Sequence, residues 1–147
     1  MKSRALERLF PRLSGSDYAI TSPALRRYNC IAWAAGEESR WWEPGLPVGG
    51  YFWPSGAPQE NTVEGWSQAF VSHGGYQSCD NGELEEGMEK IAIYAAADGT
   101  PTHVARQLPS GDWTSKLGRF EDIRHATLES LADDPPAYGR VVRFLKR

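Results

Sequence analysis

Apolar positions recur along this chain with two periods, and the change from one to the other divides it near residue 90. Leu6, Leu9, Phe10 and Leu13 fall at helical spacing and predict a first amphipathic helix over residues 3–13, interrupted by Pro11. Ser14 to Asp17 reads as a loop, and Tyr18 to Pro23 leads into the short apolar stretch Cys30-Ile31-Ala32-Trp33-Ala34-Ala35. That stretch has Asn29, a favoured N-cap, before it and Gly36, a left-handed stop, after it, so it predicts a short helix buried on all sides. Asn61-Thr62-Val63-Glu64 matches a capping box with Asn61 as the cap. It opens a helix over 62–72 with Val63, Trp66, Ala69 and Phe70 on one face and Gly74 at its end. Residues 76–88 predict a short strand and a loop.

Beyond that point the alternation becomes two-residue. Lys90 to Ala96, Thr102 to Leu108 and Trp113 to Leu117 predict three strands joined by turns at Asp98-Gly99 and Pro109-Ser110-Gly111-Asp112, an antiparallel meander. Glu121 to His125 and residues 127–132 predict helical turns, and Tyr138 to Leu145 a closing strand or short helix. Between the second and third predicted helices, Arg40 to Pro58 interleaves Trp41, Trp42, Tyr51, Phe52 and Trp53 with prolines and glycines. So much Pro and Gly excludes a long regular element, and so many aromatics argue for order. Two readings stand side by side: a cleft wall in which Trp42 and Trp53 bind substrate, and a loop covering an apolar edge of the core.

The chain is 147 residues long, which is one domain by length, residues 1–147. Its net charge is −3, with basic residues scattered apart from Arg26-Arg27 and the C-terminal Arg140 to Arg147, so no general attraction to nucleic acid is expected. The start mixes charges with apolar residues and lacks the apolar core of a signal peptide, and no run approaches a membrane span. A cytoplasmic protein without a membrane partner is expected, with Cys30 and Cys79 as free thiols. Cys30, Cys79 and the three histidines show no zinc-ligand spacing, and no Gly-rich phosphate loop follows a strand, so neither a metal nor a cofactor is expected.

The candidate chemistry lies at Cys30. As the first residue of a helix it meets unpaired N–H groups and the positive end of the dipole, which favour a thiolate. Its own N–H with the Asn29 side chain could hold an oxyanion. The bland alternative is a small core residue. A thiol nucleophile needs an imidazole. His103 enters the second strand of the meander, His73 ends a helix, and His125, beside a helical turn, is the reserve base. For the group that orients the base, a two- or four-residue turn at Ser110-Gly111 sets Gly118 opposite His103 with Thr114 and Lys116 on its face. A three-residue loop presents Ser115 instead. Lys116 would repel an imidazolium, Asp112 and Asp122 have no fixed position, and Ser115 is the choice.

Asn-Cys-Ile-Ala-Trp-Ala at 29–34, followed by Ile91-Ala92-Ile93-Tyr94 and Thr102-His103-Val104-Ala105, resembles the cysteine helix and histidine strand of the papain-like NlpC/P60-type superfamily. The blocks NCIAWAAG, THVARQL, GDWTSKLG, EDIRH and AYGRVV resemble more closely a bacterial family that shares them, from about residue 18 to the C-terminus. The resemblance implies an α+β papain-like fold with Cys30 as nucleophile and His103 as base. The superfamily's usual Asp before the cysteine and Ser-Gly after it are replaced by Asn29 and Ile31-Ala32, so no substrate is carried over. The expectation is a small cysteine peptidase or amidase acting through a thioacyl intermediate on a peptide or amide substrate or on another protein. A deamidase or acyltransferase would use the same parts. The rival is an inactive papain-like binding or immunity-type module.

Overall fold

A computed structural model describes residues 2–44 and 51–147. Its centre is one seven-stranded antiparallel sheet, made of β1 (Tyr18–Ser22), β4 (Gln77–Cys79), β5 (Lys90–Ala95), β6 (Pro101–Gln107), β7 (Trp113–Lys116), β8 (Asp122–His125) and β9 (Arg140–Lys146), in the order β1-β8-β7-β6-β5-β9-β4. The architecture is α+β, and the predicted meander forms its middle.

Two apolar cores, one on each face, follow from the two-residue alternation of β5 and β6. Ile91, Ile93 and Val104 belong to the front core, under α2 (Cys30–Ala34) and α3 (Val63–Gly74). Ala92, Tyr94 and Ala105 belong to the back core, with Leu6 and Phe10 at and just beyond α1 (Arg4–Leu9). Both faces are covered, which is why β5 is buried at every position instead of at every second one.

Local chemistry sets the helix ends. Pro11 stops α1 and starts a 3-10 turn over Pro11–Leu13, splitting the predicted helix. Asn29 caps α2 as predicted, its Oδ1 accepting from Ala32 N–H at 3.2 Å. Thr62, not Asn61, caps α3: its Oγ1 accepts from Gly65 N–H at 2.9 Å, while Asn61 Oδ1 accepts from the Trp66 indole N–H. The capping-box frame was therefore one residue early.

The region predicted as a helical turn at Glu121 to His125 is β8 instead. Ile123 packs in the back core and Asp122 faces the front, the alternation of a strand with both faces covered. Its partner β1, read from sequence as a connecting segment, pairs Tyr18 with His125 and Ile20 with Ile123. In the aromatic segment, β2 (Trp41–Trp42) and β3 (Tyr51–Phe52) form a small parallel ladder. Gly45, Pro47, Gly49 and Gly50 of that segment lie outside the described residues.

Candidate functional site

The front face of β6, β7 and β8 carries an unusual density of buried polar groups beneath the cysteine helix. Cys30 is partly buried at the first position of α2, against the front core. Burial pushes its thiol up to about 11, and backbone groups of Val104, Ile31 and Cys30 itself offset only part of that rise. Loss of hydration outweighs the helix dipole, so at neutral pH Cys30 is a thiol.

Below it, Lys116 and Asp122 are opposite each other on β7 and β8, both fully buried. The Asp122 carboxylate accepts from Ser22 Oγ–H and, at 2.6 Å, from Tyr28 O–H, and its second oxygen has no partner among the described residues. Burial and the Asp122 carboxylate together push the Tyr28 phenol up to about 12. The Lys116 ammonium donates to Phe120 O and lies 5.4 Å from the centre of the Tyr28 ring. Burial lowers its pKa, while the charges of Asp122 and Glu121 act to raise it.

His103 does not join this group. On β6 the side chains of Val104 and Arg106 face α2, and those of His103 and Ala105 face the back core. The His103 ring stacks on Tyr138, centroids 4.2 Å apart and planes 4° apart, and lies against Tyr94. Both ring nitrogens are buried without a partner among the described residues. Burial, with the nearby His125 adding, holds the imidazole well below its ordinary pKa, so it is neutral. The expected Cys30–His103 pair is corrected here: the sheet passes between the two side chains.

Ser115 is on the back face, as a three-residue turn requires, since Arg106 pairs with Thr114 and Gln107 with Trp113. Its Oγ lies 2.8 Å from His125 Nε2, so it orients His125 and not His103. The carbonyl of Thr127, 2.8 Å from His125 Nδ1, can only accept, so Nδ1 carries the proton and Nε2 accepts from Ser115. Burial brings His125 down to about 4, against the Thr127 hydrogen bond and the charge of Asp112, which act to raise it. The reserve base is thereby also on the far side from Cys30.

The remaining sequence-predicted residues are structural. Asn29 is tied down through both ends of its amide: Oδ1 accepts from Ala32 N–H and Trp42 N–H, and Nδ2 donates one of its two N–H groups to Trp42 O at 2.6 Å. These three bonds fix the amide as a cap and a strap between α2 and Trp42. Trp42 is fully buried, its indole N–H donating to Glu37 at 2.7 Å, and Trp53 is buried with its N–H on Pro58 O. Both belong to the front core, so these two tryptophans cover it and do not line a substrate wall.

Among the described residues no group of three or more His, Cys, Asp and Glu side chains could hold a metal ion, and no helix is long and apolar enough to cross a membrane. The missed residues are Lys116, Asp122 and Tyr28. Lys116 and Asp122 occupy pairing positions of β7 and β8, a placement that emerges only once the register is known.

An antiparallel sheet with helices on both faces and an N-capped cysteine helix is the class of domain that these features define. The family model described as a domain of unknown function, DUF7689, matches residues 19–146, and the chain belongs to that family. No curated protein and no solved structure matches it.

Proposed function

We propose that this domain is a papain-like binding module in which Cys30 packs against the front core and does not act with a histidine. The papain-like reading is supported by a cysteine at the first position of a helix laid on an antiparallel sheet. The observation that carries the binding reading is the alternation of β6, with Val104 toward Cys30 and His103 toward Tyr138. An acyl-transfer dyad needs its base within hydrogen-bond reach of the sulfur. The test is the alkylation rate of Cys30 by iodoacetamide in a Cys79→Ser background. His103→Ala leaves that rate within about two-fold of its parent; a loss of about ten-fold or more would restore the dyad.

A second reading is favoured by Lys116: a cysteine hydrolase with lysine as its base. Lys116 is fully buried on the same face as Cys30, and burial depresses its pKa toward that of a working base. Under that reading Lys116→Met slows Cys30 alkylation while His103→Ala does not. A rate indifferent to both variants leaves the binding module alone.

A further inference from the structure

At the end of the sheet where β5 begins and β6 and β9 finish, the surface opens into a cleft of about 870 Å³. That volume falls in the usual range for small-ligand sites. Its apolar wall is Leu84, Met88, Leu108 and Pro109, and Arg106 lines it from β6.

Arg106 is the unusual group. The Lys90 and Lys146 ammoniums are both held by Glu85, and Arg147 by Glu89. The Arg106 side chain makes no ion pair or hydrogen bond among the described residues, and its Nε is buried without an acceptor. Its guanidinium carbon lies 5.6 Å from the centre of the Trp33 ring of the cysteine helix, and Arg106 lines the cleft. A partly buried guanidinium with no counter-charge is costly, and an anion entering the cleft removes that cost. The planar fork matches a carboxylate through paired N–H donors.

The acids around the cleft do not cancel this preference. Glu85 is neutralised by its two lysines, and Glu89 accepts from Arg147 and from Tyr76 O–H. Glu86 remains as the one cleft acid without an ion pair among the described residues, and it disfavours ligands with more than one negative charge.

We propose that this cleft binds a single carboxylate carried on an apolar body, the carboxylate on Arg106 and the body against Leu84, Met88, Leu108 and Pro109. This rests on the binding-module reading and gives that module its ligand chemistry. Two sources share it: a free aliphatic acid, and the terminal carboxylate of an apolar peptide.

The test titrates the intact chain by calorimetry with decanoate against decanol, and with acetyl-Ala-Leu-Val-Leu against the same peptide amidated at its C-terminus. The expected result is saturable binding of at least one carboxylate, about ten-fold or more tighter than its uncharged analogue. Which of the two binds identifies the source. Arg106→Gln removes the preference for charge, and Glu86→Gln, at a cleft position away from the core, strengthens carboxylate binding by a few-fold. Equal affinity for charged and uncharged forms, or no saturable binding of either carboxylate, overturns the proposal, as does a Glu86→Gln protein that binds no tighter. A failed titration with Cys30 still indifferent to His103→Ala removes the ligand but leaves the binding module standing. A Cys30 that depends on His103 removes the module itself.

Discussion

Replacing Asn29 by alanine separates the two roles assigned to that residue most sharply. The side chain caps α2 through Ala32 N–H and straps the helix to Trp42, accepting from its N–H at 3.2 Å and donating to its carbonyl at 2.6 Å. Loss of an N-cap costs about 1 kcal/mol. The Trp42 N–H and carbonyl would also be left unpaired beside a side chain that is fully buried, at about 1–3 kcal/mol each before relaxation. Relaxation recovers part of this, so the expected destabilisation is about 3 kcal/mol. Urea unfolding followed by tryptophan fluorescence reads it as a midpoint lowered by roughly 1–2 M with an unchanged slope. Asn29→Ser keeps the cap but not the strap, and is expected to lie about 1 kcal/mol above the alanine variant. A loss below about 1 kcal/mol in Asn29→Ala, accompanied by slower chemistry at Cys30, would refute the strap and return Asn29 to an oxyanion role.

Two further outcomes follow from the back core and the sheet edge. Burial lowers the folded-state pKa of both His103 and His125, the latter to about 4, so the unfolded chain takes up protons first as pH falls. Stability is therefore full above the ordinary histidine value near 6.5 and is lost progressively below it, by on the order of 3 kcal/mol for His125 by the time pH reaches about 4. Urea midpoints from pH 7 to pH 5 check this, and His103→Phe, which keeps the ring on Tyr138, flattens the dependence. Gly139 has φ +82°, and a Cβ there would collide with the Ala95 carbonyl of β5. Gly139→Ala is expected to cost about 3 kcal/mol, combining left-handed strain with the forced displacement of a strand, and a thermal melt within a degree or two of the parent contradicts it.

Much of the frame was legible because local chemistry and tertiary context agree there. Asn29 before an apolar run, Pro11 inside a helical period, and the alternation from Lys90 to Leu117 all point one way, and the helices and meander follow them. β8 was not legible as a strand, since the short segment Asp122-Ile123-Arg124-His125 lacks a run of apolar residues to declare it. Its strand character comes from β1 and β7 on either side, a contact no local pattern encodes. The site failed to be read for a related reason. A histidine next to a valine on a strand fixes that the two face opposite ways, but not which of them meets the cysteine helix. That choice is made by the packing of Val104 with Ile31 in the front core and of His103 with Tyr138 in the back. Likewise the aromatic segment announced order, but burial of Trp42 and Trp53 is a property of the core they join.

The most direct measurement of the central claim is the pH profile of Cys30 alkylation in the Cys79→Ser protein. The account predicts a rate that climbs through the alkaline range with an inflection at about 11 and the same profile in His103→Ala. An inflection near or below neutrality that disappears in His103→Ala would mean that thiol and imidazole share a proton, and would contradict the separation of Cys30 and His103 by the sheet.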